Sequence, residues 1–236
     1  SWMDEGFTSY IDDVALNVVL KEGKALPNAG AYKDYFEWVG TGLEEPMTTH
    51  ADRFKYNTGY GMSAYDKGSI FLSQLQYVIG EQNFDNTLKR YFDDWAFKHP
   101  KPNDFIRSAE KVSGLELDWY LLDWAQSTMT IDYSVNSLYG VDNKTRVVLK
   151  RLGQMGMPID LRIELISGET LDYIIPMTKM RGSKPVESST LLKSWSWAKP
   201  YYEMWLDVDS KNISKITIDP KNEMADVNRK NNYLVF

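Results

Sequence analysis

Few side chains in this sequence can do chemistry by themselves. There is no cysteine, which removes disulfides, thiolate metal ligands and cysteine nucleophiles together. There are two histidines, His50 and His99, both in polar, loop-like sequence. A zinc site built by this chain alone would need both of them, or a mostly carboxylate set, which is unusual for zinc. A serine-hydrolase triad is poorly supported for the same reason, although either histidine could serve as a base. The acids near the start are better placed. Glu5 and Asp12 stand seven residues apart and so fall nearly in line on a helix. Phe7, Ile11, Val14 and Val18 form one apolar face of that helix, and Leu16 and Val19 lie on its other side. The second half therefore reads as buried on both sides, and the two acids should point at another packed layer. The remaining candidate is Tyr65. Ser63-Ala64-Tyr65-Asp66 reads as a capping box opening a long helix, with Gly59 and Gly61 permitting the turn before it. That puts the phenol in a first helical turn, at the positive end of the dipole, where it can stabilise a developing negative charge.

The elements that must hold these residues are of two kinds. Up to about residue 128 the periodicity is helical: the first segment, a short aromatic helix near Tyr32–Val39 inside a loop-rich stretch, and the helix from Ser63 to about Ile79, stopped by Gly80. Further helices are expected over about 81–97, 103–112 and 115–126, separated by Pro100-Lys101-Pro102 and by Gly114. From about Thr130 the period changes to two. Met157, Ile159, Leu161, Ile163 and Leu165 alternate with polar residues, and similar runs cover about 131–138, 145–152, 171–177, 200–208 and 213–218. The expected fold is α+β: a helical lobe over 1–128 followed by a small β-sandwich over 129–236.

Composition narrows the function classes. Apolar residues at 43% and charged residues at 25% are globular rather than disordered proportions. The formal net charge of −6 argues against a nucleic-acid partner, and the apolar runs are too short for a transmembrane segment. Three weaker motifs have bland readings. Trp195, Trp197, Tyr201, Tyr202 and Trp205 could stack on sugars, but Tyr202, Met204, Leu206 and Val208 alternate as a core face. The stretch from Asp207 resembles a calcium loop and fails, with Lys211 at its fifth position and Asn212 where glycine is needed. Glu44-Glu45 reads as a solvated loop.

Trp2-Met3-Asp4-Glu5-Gly6-Phe7-Thr8-Ser9-Tyr10 resembles the third-ligand helix of the gluzincin aminopeptidases, the group typified by aminopeptidase N. Tyr60-Gly61-Met62-Ser63-Ala64-Tyr65-Asp66-Lys67-Gly68 resembles that family's tyrosine segment, in the same order and at about the family's separation. Trp119 to Trp124 is similar to the helix closing the family's catalytic domain, and Met157-Pro158 and Ile218-Asp219-Pro220 to its recurring strand ends. The resemblance implies a zinc-dependent aminopeptidase acting on peptides. Glu5 would be a metal ligand, Tyr65 the donor to the oxyanion, Tyr60 part of the substrate cleft, and Asp12 an acid orienting a ligating histidine. The family's H-E-x-x-H helix and Gly-x-Met-Glu-Asn strand are absent from this sequence. The chain therefore reads as an excised C-terminal part of such an enzyme, without zinc or activity alone, whose partners include the upstream part of the same polypeptide. Self-association through apolar surface near Leu16 and Val19 is expected for the isolated chain. The compartment is not fixed by the residues, and the resemblance alone favours an extracytoplasmic one, periplasmic or secreted. The alternatives are a non-catalytic peptide- or glycan-binding module and a pseudoenzyme on the same fold.

Overall fold

The computed structural model describes residues 1–236, which divide into two compact units, Ser1–Met129 and Thr130–Phe236. The fold is α+β, helices in the first unit and two sheets in the second.

The first unit is built around one helix. The run Lys67–Ile79 (α4) is apolar almost all round, and a helix without a polar face must be buried on every side. Ile70, Phe71, Leu72, Leu75, Val78 and Ile79 are all fully buried. Around α4 pack α1 (Trp2–Val19), α2 (Ala29–Val39), α5 (Glu81–Trp95), α6 (Pro102–Ser113) and α7 (Asp118–Ala125); a short helix, α3 (Asn57–Gly61), precedes α4. Their buried rings close the core: Phe71 meets Trp2 edge-on at 4.9 Å and Tyr120 at 5.0 Å. Two polar groups trapped with them find partners, Gln74 donating to the Tyr32 hydroxyl at 2.7 Å and Tyr120 to the Phe71 carbonyl, while the Trp124 indole N–H has none. The breaks fall at the expected glycines and proline. Gly80 and Gly114 take positive φ at helix ends, and Pro102 opens α6, where Asp104 accepts the Lys101 N–H at 2.8 Å. No helix is long and apolar enough to cross a membrane.

Two expectations about this unit fail. The helix carrying Tyr65 does not start at Ser63 with a capping box. Helical backbone begins at Asn57, with Gly59 and Gly61 inside α3, and runs through a π-helical turn, Met62–Asp66, into α4. The Ser63 hydroxyl donates to the Glu45 carbonyl instead of capping. The second half of α1 is not buried on both sides either. Trp2, Gly6 and Tyr10, spaced by four, make the buried face, while Leu16 is exposed and Val18 and Val19 are 70% and 73% exposed. Asp12 is exposed too rather than facing a packed layer.

The second unit holds a three-stranded sheet, β1 (Tyr133–Val141), β2 (Lys144–Arg151) and β6 (Tyr201–Leu206), and a five-stranded sheet ordered β5-β4-β3-β7-β8. The latter comprises β3 (Ile159–Leu165), β4 (Thr170–Ile175), β5 (Thr190–Leu191), β7 (Ile213–Ile218) and β8 (Tyr233–Val235). The alternating residues of both sheets are buried, Val147, Leu149, Met204 and Leu206 from one and Ile159, Leu161, Ile163, Ile216 and Ile218 from the other. Edge strands β5 and β8 escape pattern reading because two or three residues carry no alternation.

Candidate functional site

α1 and the helical run through α4 cross at a pair of glycines. A methyl group on Gly6 would sit 2.5 Å from the Gly68 Cα, and one on Gly68 would sit 2.7 Å from the Gly6 Cα. With no Cβ on either, the two backbones touch, and the residues beside the crossing are brought together. These are Glu5 on α1 and Tyr65 in the π-helical turn. The Tyr65 hydroxyl lies close to the Glu5 carboxylate. That interaction, with partial burial and the negative charge of Glu5 behind it, holds the phenol's pKa above its ordinary value. Tyr65 remains 40% exposed, so its hydroxyl is open to solvent. The Tyr60 ring meets it edge-on at 6.3 Å and is itself backed by Phe54 at 5.7 Å.

The placement of Tyr65 within a π-helical turn replaces the expected first turn of a capped helix. A π turn carries one residue more than an α turn and is frequent at functional sites. Here it interrupts two regular helices, which re-aims the side chain without breaking the run.

Behind the turn lies an ion pair that the loop reading of Glu44-Glu45 missed. Lys67 and Glu44 are 1% and 6% exposed and paired with each other, and Lys67 also donates to the Ser127 carbonyl at 3.2 Å. Burial pulls the Lys67 ammonium below its ordinary pKa, and Glu44 opposes that shift. Glu45 is half-buried and accepts the Lys55 main-chain N–H at 3.0 Å. A lysine opening a helix with apolar residues on most of its sides and no other charge was the sequence signal for a buried pair, because such a charge must find a partner. Gly6 and Gly68, each inside a helical pattern, were the signal for the close crossing. Next to Lys67, burial and the charges of Asp34 and Asp13 push the Asp66 carboxyl up to about 6.

The structure brings together Glu5, Tyr65 and Tyr60, and it leaves Asp12 apart: that side chain is exposed and has no hydrogen bond or ion pair. Glu5 has no cationic partner, so its carboxylate is available to a metal ion. No set of three or more metal-ligating side chains converges anywhere in the chain. Glu5 can therefore supply one carboxylate ligand to a metal ion and no more. His50 is exposed and caps a short turn, its Nδ1 accepting the Asp52 N–H at 3.2 Å, and His99 is exposed.

In the second unit the aromatic cluster splits. Trp195 is buried between Tyr133 and Tyr202, its indole N–H donating to the Lys199 carbonyl, while Trp197, Tyr201 and Trp205 are exposed. The acids of the failed calcium motif are occupied: Asp207 pairs with Lys144 at 2.6 Å, and Asp209 accepts the Lys211 N–H.

Residues 1–124 match the profile described as the Peptidase family M1 domain. Aminopeptidase N of Escherichia coli is 24% identical over 140 residues, covering 56% of this chain and 16% of that protein. Aminopeptidase M1 of Arabidopsis thaliana is 23% identical over 211 residues, 86% of this chain and 22% of that protein. The chain thus spans about a fifth of the length of these curated relatives. Among solved structures, Legionella pneumophila aminopeptidase A, crystallised with aspartic acid, aligns over 94% of this chain and 23% of its own at a TM-score of 0.53 and 16% identity, a likeness of fold.

Proposed function

Because this chain belongs to peptidase family M1, we propose that it is the part of a zinc-dependent aminopeptidase that carries one metal ligand and the oxyanion donor. The observation that carries the reading is the juxtaposition of Glu5 and Tyr65 at the Gly6–Gly68 crossing. Zinc would be held by Glu5 together with ligands this sequence does not supply, and would lend Lewis acidity toward the substrate carbonyl and toward water. Tyr65 donates a hydrogen bond to the substrate carbonyl oxygen as it gains negative charge, and an ordinary phenol already holds its proton at neutral pH. Tyr60 borders the cleft and fixes the plane of the Tyr65 ring by its edge-on contact. Asp12, two turns along α1 from Glu5, would hold a ligating histidine from behind. The general base is not assigned to any residue of this chain.

The experiment is on the full-length protein: zinc content, with hydrolysis of aminoacyl-arylamides before and after chelation. Near-stoichiometric zinc with chelator-sensitive cleavage supports the reading. A zinc-free, inactive protein overturns it and leaves a pseudoenzyme on the same fold.

A further inference from the structure

Two consecutive loop residues grip the π-helical turn from both ends. Near its start, the Ser63 hydroxyl donates to the main-chain carbonyl of Glu45 at 3.2 Å. Just past its end, the Lys67 ammonium pairs with the carboxylate of Glu44 and donates to the carbonyl of Ser127. Tyr65 lies between the two grips. The loop is itself tied down, because the Glu45 carboxylate accepts the main-chain N–H of Lys55, ahead of α3.

Stability is a poor reason for such a pair. Two charges taken out of water cost about as much as their attraction returns, and apolar residues of similar volume commonly hold a core equally well. Geometry is a better reason. A π turn is a local excess of one residue, and relaxing it to α-helix re-aims the side chains within it by up to about 100°, the angle per residue of an α-helix. Something outside the turn must hold the irregular form. We propose that the Glu44–Glu45 segment is a positioning strap which, through Lys67 and Ser63, holds the Met62–Asp66 turn in its π form and so sets the aim of the Tyr65 hydroxyl at Glu5. Glu44, Lys67 and Ser63 are positioning residues and touch no reacting atom. The catalytic consequence rests on the reading of Tyr65 given above; the conformational one does not.

The informative variant of the full-length protein is the double change Glu44→Leu with Lys67→Met, which removes both charges together and keeps the volume. Lys67→Met alone strands a buried carboxylate and confounds position with stability. In the double variant Tm should stay within a few degrees of wild type, while amide hydrogen exchange over residues 62–66 rises by about tenfold or more. On aminoacyl-arylamides kcat should fall by about 10–100-fold with KM within about twofold, the mark of a misaimed group rather than a lost binding contact. Ser63→Ala should show the same pattern more weakly. Unchanged exchange and kcat would overturn the strap, as would exchange rising equally throughout the first unit, which is the signature of general destabilisation. If the wild-type protein cleaves no peptide, the peptidase reading fails separately, and exchange over 62–66 alone decides: local acceleration supports the strap and its absence overturns it.

Discussion

Gly68→Ala tests the crossing on which the candidate site depends. The added methyl would lie 2.7 Å from the Gly6 Cα, 3.3 Å from the Trp2 carbonyl oxygen and 3.4 Å from the Gly6 nitrogen. All three are backbone atoms of α1, so no side chain can swing aside. Carbon atoms rest at about 3.5–4.0 Å, and α1 must therefore move away from α4 by about 1 Å. Overpacking of this kind costs about 1–3 kcal/mol. Alanine in a helix interior returns about 1 kcal/mol relative to glycine, so the net loss should be near 1 kcal/mol. Tm should drop by about 3–6 °C. The functional loss should be larger than the stability loss. A displacement of about 1 Å between the elements carrying Glu5 and Tyr65 should reduce kcat of the full-length protein by about 10²-fold. Gly30→Ala is the control, since it lies in α2 with nothing within 4 Å of its added methyl, and it should be neutral or slightly stabilising. The assays are thermal unfolding and steady-state hydrolysis of an aminoacyl-arylamide. Gly68→Ala with wild-type Tm and kcat would refute the claim that backbone contact at this crossing sets the site.

Tyr65→Phe should lower kcat of the full-length protein by about 10²–10³-fold, as for loss of one oxyanion donor, with zinc content unchanged; an unaltered kcat would remove Tyr65 from the mechanism. Burial pushes Asp219 up to about 7 and Asp226 up to about 6, despite main-chain N–H groups donating to both carboxylates. With unfolded values near 3.9, both bind more protons when folded, so this contribution to the second unit's stability is greatest below about pH 4 and is lost as pH rises to about 7. The urea midpoint should fall over that window and level off above it, and Asp219→Asn should flatten the change; a midpoint rising steadily from pH 4 to 8 would contradict the assignment. The exposed end of α1, Leu16, Val18, Val19 and Leu20, should drive reversible self-association of the 236-residue chain at high concentration, relieved by Val19→Lys. Sedimentation showing only monomer at millimolar concentration would count against it.

Periodicity alone was enough for most of the elements. Apolar residues on every side of Ser69–Ile79 require a central helix, the alternation of Ile159 to Leu165 requires a half-buried strand, and Gly80, Gly114 and Pro102 punctuate where their backbone constraints demand. Glu5 and Tyr65 were legible as residue types in a spaced pattern. Their relation was not, because it depends on which faces of two helices meet. That choice is made at Gly6 and Gly68, where the absence of a side chain is the interaction, and a sequence records no partner for an absent atom. The same limit explains the failed readings. Ser63 and Asp66 have the types of a capping box, but a loop carbonyl distant in sequence accepts the Ser63 hydroxyl's hydrogen bond. Glu44 has the type of a solvated acid, but Lys67 draws it into the core. Val18 and Val19 have the types of core residues, but burial is a property of what packs against them, and in this structure nothing does. Local backbone preference and hydrophobic period are written residue by residue, and so the sequence by itself determined most of the helices and strands and the breaks between them. Which backbones touch, which charges pair and where a phenol points are relations between distant residues, and only the tertiary structure decided them.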